Sequence, residues 1–453
     1  MLYDGLDELE KNGKPIAVGI VGAGTFGTQI ISQVCQMTGM RMSAVADLQT
    51  DRAVRALVLG GKAEDTILSA QTAGEIDKAI SAGRAAVTTS ASALIGSNID
   101  VVVEATGNPD LGAKHGHMAI LKKKHLVMVT VEAEVLVGYL LKTMADSAGV
   151  IYSAAYGDEP SLAYELCDWA KTLGFQVIAA GKGARFKPDF RRATPDDVAE
   201  LYGFKGQDYN ARMFCSFLDN TKSAIEMTAL SNMTGLLPDI RGMHFPPLEL
   251  NEIPEKLCLK SEGGILDHEG VVEAVSSLHP DGRNVEQSIR GGMYAVIGSA
   301  TPFAVESLAS YGEILGMVIG PRSKKAMIYR RQHFVGHEVP IGIARMMLLG
   351  KPSGAPRAHF SEVVLGAKKD MEPGTVLDGE GGYTVYGLAE RADVARKQRL
   401  LPMGLAQGAE LIRPVAVDDV VTYDDVKLPD SFSLNLRRLQ DSLVQADGGD
   451  GDK

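Results

Sequence analysis

The chain has 453 residues, of which 45% are hydrophobic and 23% are charged. These proportions are those of an ordinary globular protein, and together with the length they exclude a disordered chain and a single small binding module. The formal net charge of −11 would repel a nucleic acid, and no apolar stretch approaches the ~18 residues that a membrane helix needs. We therefore expect a cytoplasmic protein that binds neither nucleic acid nor membrane.

Strand-like and helix-like segments alternate from residue 15 to residue 183. The first is the apolar run PIAVGIV, which is followed by glycines and then by apolar residues at helical spacing. Later strand-like runs include IDVVVEATGNPD, HLVMVTVEAE, GVIYSAAYGDEP and FQVIAAGKG. Such alternation is typical of a doubly wound parallel sheet of the Rossmann type, with right-handed crossovers. Residues 1–183 are therefore predicted to form an α/β domain.

The pattern changes twice after this domain. Residues 184–358 are polar and rich in turns, which predicts a central α+β domain; the end of this segment, PIGIARMMLLG, could be a helix that returns to the first domain. Residues 359–436 contain short β-like runs broken by Gly and Pro, which predicts a small all-β domain. Residues 437–453 end in QADGGDGDK and are predicted to be a disordered tail.

One glycine-rich turn has the spacing G-x-G-x-x-G, in Gly22-Ala23-Gly24-Thr25-Phe26-Gly27. The turn follows a predicted strand and opens a predicted helix, and Asp47 lies twenty residues past the last glycine, at the end of the next strand. In this context Gly22 permits the turn, Gly24 lets backbone N–H groups approach a pyrophosphate, and Gly27 brings the helix against the strand. The pattern predicts a dinucleotide site that includes Thr25 and Phe26; the alternative is a tight βα turn with no ligand.

The sequence leaves the choice between NAD and NADP open. Asp47 could accept a hydrogen bond from a ribose 2′-hydroxyl, whereas Arg52 could bind a 2′-phosphate. Thr106 and Gly107 follow one predicted strand and Glu132 follows the next, so these three residues are expected to lie at the edge of the nicotinamide. The alternative interpretation of the last three is ordinary turn chemistry at strand ends.

Two lysines are candidates for catalysis. Lys182 ends a predicted strand, where open α/β sheets bind ligands, and Lys222 lies close to Asp219 at a predicted helix start. Reduction of a carbonyl needs a proton donor and positive charge beside its oxygen, so we predict that these three residues are catalytic. The alternative is that the lysines are surface charges. Five further residues are predicted to contact the substrate: Arg185, Asn220, Thr221, Lys324 and His333.

Two acidic residues follow another predicted strand. Asp158 and Glu159, with Glu165 or Glu226, offer the oxygen ligands that Mg²⁺ or Mn²⁺ prefers. An acidic pair at the start of a helix is also stabilised by the helix dipole without any metal. The sequence supports both interpretations.

Several of these motifs together resemble a known family. The motifs are GAGTFG, EATGNP, VTVEAEVLVG, YGDEP, AAGKG, DNTKSAIEM and the C-terminal LLPMGLAQGAELIRPVAVDD, which together span about residues 15–435. They resemble the homoserine-dehydrogenase-like oxidoreductases that carry a C-terminal SAF domain, a group that includes enzymes similar to 1-deoxy-D-xylulose 5-phosphate reductoisomerase.

This resemblance implies NAD(P) binding at Gly22, Gly24, Gly27 and Thr106, a homodimer formed through the middle domain, and a SAF-like fold for the C-terminal domain. It favours NADPH, with NADH as the alternative. The function implied is the conversion of 1-deoxy-D-xylulose 5-phosphate into 2-C-methyl-D-erythritol 4-phosphate. The alternatives are homoserine dehydrogenase or another small polyol or sugar-acid dehydrogenase, and a dinucleotide-binding sensor without turnover.

Overall fold

The computed structural model describes residues 1–206 and 209–447, which fall into two compact units. The first unit contains residues 1–161, 334–355 and 431–447. The second contains residues 162–206, 209–333 and 356–430. Among the helices of these described ranges, none is both long and apolar enough to cross a lipid bilayer.

The strands of the described residues belong to four sheets. In chain order they are β1 Ile16–Val21, β2 Met40–Ala46, β3 Ile67–Ser69, β4 Ala85–Thr88, β5 Val101–Glu104, β6 His125–Met128, β7 Tyr152–Ala154, β8 Gln176–Ala184, β9 Leu237–Pro238, β10 Val271–Ser276, β11 Met293–Gly298, β12 Val318–Ile319, β13 Ala326–Arg330, β14 Ser361–Ala367, β15 Val385–Arg391, β16 Glu410–Leu411 and β17 Val426–Lys427.

The α-helices of the described residues are α1 Leu2–Lys11, α2 Thr25–Gln36, α3 Thr50–Leu59, α4 Ala73–Ser81, α5 Ala91–Ile95, α6 Pro109–Leu121, α7 Val131–Ala148, α8 Glu159–Thr172, α9 Val198–Tyr202, α10 Ala211–Leu218, α11 Thr221–Thr234, α12 Ile253–Lys256, α13 Pro302–Leu315, α14 Val339–Leu349, α15 Ala392–Lys397 and α16 Phe432–Asp447. Short 3₁₀ helices cover Glu64–Thr66, Pro188–Arg192, Pro195–Asp197, Lys260–Glu262 and Met403–Leu405.

A parallel seven-stranded sheet forms the centre of the first unit, in the order β3-β4-β2-β1-β5-β6-β7. The chain leaves β1 for β2 on one side and later returns to β5 on the other, so the strand order reverses between β1 and β5. Open α/β sheets bind their ligands at such a switch point. The Rossmann-type sheet expected from the sequence is confirmed.

The core of the first unit is built from strand residues that are apolar on both faces of the sheet. Val18, Ile20 and Val103 are fully buried, as parallel strands covered by helices require. Val339 and Ile343 of α14 belong to the same core. The segment PIGIARMMLLG therefore does form a helix that returns to the first unit.

A mixed six-stranded sheet forms the second unit, in the order β12-β13-β11-β8-β10-β9. Strand β8 lies in its middle, parallel to β10 and antiparallel to β11. This corrects the boundary expected at residue 183, because FQVIAAGKG belongs to the second sheet rather than the first. A short apolar and glycine-rich run is typical of a buried central strand, but the pattern does not show which sheet the strand joins.

Residues 356–430 lie in the second unit and do not form the separate domain expected over 359–436. Strands β14 and β15 pair with each other and pack against α11. The Ser231 and Ser361 hydroxyl oxygens are 2.6 Å apart, and the Gly387 N–H donates to Thr221 Oγ1 at 2.8 Å. Helix α11 is buried on nearly all sides as a result, which explains why its sequence has little amphipathic character.

The disordered tail expected over 437–453 is a helix as far as Asp447, and residues 448–453 lie outside the described residues. Helix α16 packs against α6 and α7 of the first unit. Leu434, Leu436 and Gln440 are buried there, and Gln440 Nε2 donates to Leu136 O at 3.0 Å. The polar composition of the last residues predicted disorder for the whole segment, although the residues before them form a helix that packs on the first unit.

A buried carboxyl group lies inside the first unit. Glu134 of α7 is fully enclosed and accepts a hydrogen bond from the Tyr152 hydroxyl. Burial raises the pKa of Glu134 to about 7, although the Tyr152 hydrogen bond opposes this shift. The folded state therefore holds the proton more tightly than the unfolded state does.

This pKa predicts how stability depends on pH. Below pH ~4.5 the carboxyl is protonated in both states, and as the pH rises to about 7 the folded state loses stability, because only the unfolded state ionises without penalty. Glu134→Gln removes the ionisation, so we expect it to be more stable than wild type at pH 8, by up to ~3 kcal/mol, and equal to wild type at pH 4.5. Thermal unfolding at both pH values measures this. The exposed Glu64→Gln is the control, and equal midpoints for Glu134→Gln and wild type at pH 8 would contradict the assignment.

Candidate active site

The glycine turn of the first unit has the backbone geometry that its sequence predicts. Gly22 has a φ of +104°, and a Cβ there would lie 2.5 Å from Ala105 O. A Cβ on Gly27 would lie 2.1 Å from Gly22 O, so helix α2 can approach the turn only through a glycine. These two positions exclude any side chain for steric reasons.

Gly24 differs from the other two glycines because the space beside it is open. It is the N-terminal cap of α2, and a Cβ there would meet nothing within 4 Å. Thr25 and Phe26 form the first turn of the helix, where backbone N–H groups have no partner inside the helix. Open space at a helix N-terminus fits a pyrophosphate, so the residues present suit a dinucleotide.

Asp47 reaches back to this turn from the end of β2. Its Oδ2 accepts the Ala23 N–H at 2.7 Å and its Oδ1 accepts the Gln49 N–H at 2.8 Å. Arg52 is exposed in the first turn of α3. Both residues lie where the sequence analysis expected them, and the contacts do not decide between NAD and NADP.

The loops after β5 and β6 are held by a buried glutamate. Glu104, which ends β5, accepts from Thr106 Oγ1 at 2.6 Å and is fully buried. The Gly107 N–H donates to Thr130 Oγ1 at 3.0 Å, which joins the two loops. Glu132 lies in the first turn of α7. The structure thus brings Thr106, Gly107 and Glu132 to the carboxyl edge of adjacent strands, and their role toward a nicotinamide remains a prediction.

The second unit places Lys182 inside the protein. It lies on β8 with 4% of its surface exposed, and it forms an ion pair with Glu226 of α11, which is 1% exposed. Lys222 lies four residues before Glu226 on the same helix, and residues at this spacing share a face. Lys182 is therefore buried, and the alternative interpretation of it as a surface charge is wrong.

Asp219 is bound to a residue that the sequence analysis did not consider. Its Oδ2 lies 2.7 Å from Lys368 Nζ, and its Oδ1 accepts the Thr221 N–H at 2.9 Å. Lys368 also donates to Ala193 O and Gly382 O, at 2.6 and 2.7 Å. Burial raises the pKa of Asp219, while the Lys368 ammonium opposes this shift. The geometry indicates a structural clamp between α10 and the strand β14 region.

The neighbouring substrate candidates contribute to the same helix start. Asn220 has a φ of +64° and donates from Nδ2 to Leu218 O at 3.1 Å, and its Oδ1 accepts from Ser223 Oγ at 2.8 Å. Asn220 and Thr221 are both buried. Asn220 Nδ2 satisfies a carbonyl at the end of α10, and Thr221 Oγ1 accepts the Gly387 N–H of β15, so both side chains have structural hydrogen bonds.

Arg185 follows β8 and is clamped between two rings. Its guanidinium carbon lies 5.3 Å from the ring centroid of Phe190 and 5.6 Å from that of Tyr202. The buried Nη1 of Arg185 has no hydrogen-bond partner among the described residues. An unsatisfied charged donor is costly, and it is the kind of group that a ligand completes.

A second arginine lies beside the first. Arg290 is joined to Gly183 by a parallel β-bridge, and Gly183 is two residues before Arg185. Burial and the charge of Arg290 both lower the pKa of Arg185. Within the described part of the chain, neither guanidinium has a carboxylate partner. The sequence analysis missed Arg290, because its proximity depends on a bridge between distant segments.

Tyr202 lies beside Arg185, whose guanidinium carbon is 5.6 Å from the Tyr202 ring centroid. Burial raises the pKa of the Tyr202 hydroxyl, and the positive charges of Arg290, Arg185 and Lys182 oppose this shift. Because Lys182 is paired with Glu226, the two arginines supply the remaining positive charge near this ring, and guanidinium groups suit an anionic group.

The two remaining substrate candidates lie beyond opposite ends of β13. Arg330 of β13 pairs with Met293, which in turn pairs with Lys182, whereas Lys324 precedes the other end of β13. Lys324 is thus at the opposite end of the sheet from Lys182 and cannot share its site. His333 is half-buried after β13. The neighbouring basic residues Arg322 and Lys325 form ion pairs with Glu255 and Glu269.

Asp158 and Glu159, the two candidate metal ligands, lie in the first unit. Asp158 directly precedes α8 and Glu159 is its first residue, with 9% of its surface exposed. An acidic residue in a first helical turn is stabilised by the helix dipole. Metal binding by this pair stays a prediction.

Comparison with known proteins adds a family match. Residues 157–339 match the family model described as oxidoreductase DRL, catalytic domain, which is less than half of the chain. Comparison with curated protein sequences gave no match. The matched segment contains Lys182, Arg185 and Glu226.

Solved structures of oxidoreductases also show some similarity. A putative oxidoreductase, yvaA, from Bacillus subtilis is 14% identical, covers 74% of this chain and 89% of its own, and has a TM-score of 0.38. Scyllo-inositol dehydrogenase from Lactobacillus casei is 12% identical, covers 76% of this chain and 92% of its own, and has a TM-score of 0.37. 1-Deoxy-D-xylulose 5-phosphate reductoisomerase from Zymomonas mobilis is 15% identical, covers 47% of this chain and 56% of its own, and has a TM-score of 0.34. TM-scores this low carry no argument about function.

The family match and the glycine turn define the class of protein. The chain is an oxidoreductase, and its residues 157–339 are similar to the DRL catalytic domain. Its dinucleotide-binding turn makes it NAD(P)-dependent.

The open space beside Gly24 generates a prediction about the cofactor. Gly24→Val would fill the position where the pyrophosphate approaches the helix, so we expect NADPH and NADH affinity to fall by at least a hundredfold. Isothermal titration measures both affinities. Gly74→Val is the matched control, since Gly74 lies in α4 of the same unit and also has open space around it. If Gly24→Val binds both nucleotides with unchanged affinity, the dinucleotide does not bind at this turn.

Proposed function

We propose that the chain is an NADPH-dependent reductoisomerase that converts 1-deoxy-D-xylulose 5-phosphate into 2-C-methyl-D-erythritol 4-phosphate. The oxidoreductase family match supports the reaction class, and the motif resemblance supports the particular substrate. The observation that carries the proposal is the buried Nη1 of Arg185, which has no hydrogen-bond partner among the described residues and lies near the exposed Arg290.

Two neighbouring cations without acidic partners favour a ligand with two negative charges. A phosphate monoester carries close to two charges at neutral pH, whereas a carboxylate carries one. The guanidinium fork also matches phosphate oxygens in geometry. A neutral polyol would leave Arg185 Nη1 unsatisfied, so the arrangement favours a phosphorylated substrate over an inositol-like one.

Lys182 and Glu226 are suited to the reacting oxygens. In the rearrangement one carbon–carbon bond breaks and another forms, so negative charge moves from one oxygen to the next. A buried ammonium donates a hydrogen bond to such an oxygen far more effectively than an exposed one does. Glu226 keeps Lys182 charged and fixed, and Lys222 supplies a second cation on the same face of α11. NADPH, when bound, supplies the hydride that reduces the aldehyde formed by the rearrangement.

The experiment that tests this function is a substrate comparison. The purified chain is incubated with NADPH and either the xylulose phosphate or its unphosphorylated analogue, and separately with NADP⁺ and homoserine. We expect turnover with the phosphate ester alone, with 2-C-methyl-D-erythritol 4-phosphate identified by NMR. Turnover of homoserine without turnover of the xylulose phosphate would contradict the proposal.

Two variants separate the expected roles of the cations. Lys182→Met should lower kcat about a hundredfold, because a preorganised donor is lost. Arg185→Gln should chiefly raise KM for the phosphorylated substrate, because its charge binds a group remote from the reaction. Lys260→Met and Arg283→Gln are the controls, since both residues are exposed and ion-paired. Near-normal kinetics of both test variants would show that these cations take no part in the reaction.

A metal requirement would distinguish rearrangement from simple reduction. A divalent cation that binds two adjacent oxygens assists a ketol rearrangement, and Asp158 and Glu159 are the candidate ligands. We expect EDTA to suppress activity, and Mg²⁺ or Mn²⁺ to restore it in wild type but poorly in Glu159→Gln. Full activity in the presence of EDTA would show that no metal is required, and the proposed reaction would stand without the metal site.

A further inference from the structure

A cavity of about 590 Å³ lies in the second unit and is lined by residues other than those assigned above. One wall is the 3₁₀ helix Pro188–Arg192, and the opposite wall is β15 with Tyr386 and Leu388. Arg241 and Asp418 complete the lining. Lys182, Arg185 and Arg290 are not among the lining residues. The volume lies within the range of sites for small organic ligands.

Most of the charged residues in this cavity are ion-paired. Arg192 pairs with Asp418, and Arg241 Nε donates to Glu390 Oε2 at 2.6 Å. Asp189 lies 3.3 Å from Lys187 Nζ. These pairs are neutral as a whole.

Arg191 has no such partner. Within the described residues it makes no ion pair, and its guanidinium carbon lies 5.6 Å from the Phe186 ring centroid and 5.8 Å from that of Tyr386. The cavity therefore has one positive charge in excess.

Two glycines fix this arrangement. Gly242 has a φ of +80°, and a Cβ there would lie 2.6 Å from Leu388 and 3.3 Å from Arg191 Nη2. A Cβ on Gly366 would lie 2.5 Å from the Tyr386 ring, so a glycine is needed for the ring to lie as it does. The Gly242 N–H also donates to Ala389 O of β15 at 2.8 Å. The two glycines thus leave the space that the Arg191 guanidinium and the Tyr386 ring occupy.

We propose that this cavity binds a small organic acid through Arg191, with Arg192 and Arg241 at its side. One excess charge matches one acidic group, either a phosphate or a carboxylate, because the guanidinium fork binds both. Leu388, Val420 and Pro188 offer apolar contact to the carbon body of the ligand. The site is separate from the residues of the proposed reaction, so it holds whether or not the chain is a reductoisomerase.

Isothermal titration at constant ionic strength tests this site. The probes are sn-glycerol 3-phosphate, D-glycerate and uncharged glycerol, and the protein is the full chain carrying Arg185→Gln, which removes binding at the other arginine pair. We expect one molecule of the phosphate or of the carboxylate to bind per chain, and glycerol not to bind. Comparison of the two acids identifies the preferred group. Absence of saturable binding by both acids would overturn the proposal.

Two additional changes in this background make the test specific. Arg191→Gln should weaken binding of the preferred acid at least tenfold, whereas Arg283→Gln at an exposed ion pair should not change it. Asp418→Asn removes the negative charge beside Arg192 and should strengthen binding at least threefold, a gain that misfolding cannot produce. Unchanged binding in Arg191→Gln, or no gain in Asp418→Asn, would contradict the electrostatic assignment.

Discussion

The buried ion pair between Lys182 and Glu226 is the constraint around which the second unit is arranged, because neither charge can be left in the interior without the other. Two charges removed from water are costly, and removal of one partner from such a pair typically costs ~3–5 kcal/mol. The pair joins the central strand β8 to helix α11, and α11 is in turn covered by β14 and β15. The charged groups assigned to the proposed reaction therefore also join the elements around them.

The two units divide the chemical work. The first offers a helix N-terminus with open space at Gly24, where backbone N–H groups can bind a pyrophosphate. The second brings Arg185 and Arg290 close together, although the chain as a whole carries a net charge of −11. A buried charged donor without a partner, such as Arg185 Nη1, costs stability, and such exceptions to the general pattern are expected at functional sites.

The sequence predicted local features well and distant contacts poorly. The glycine spacing, the alternation of strands and helices, and Lys182 at a strand end all follow from short segments. The sheet that β8 joins, the partner of Asp219 at Lys368, and the proximity of Arg290 depend on pairings between segments far apart in the chain. Local periodicity carries no information about such pairings, so Asp219 was assigned to catalysis and Lys324 to a site at the wrong end of the sheet.

The central claim is that Lys182 and Glu226 are buried for chemistry rather than for stability. The double variant Lys182→Met/Glu226→Leu tests it most directly, because replacement of a whole buried ion pair by apolar residues is often neutral or stabilising. Unfolding midpoint and kcat are measured on the same preparation. The account predicts a midpoint at or above that of wild type together with a kcat lower by a hundredfold or more. A double variant that is as stable as wild type and also has a kcat close to that of wild type would contradict it.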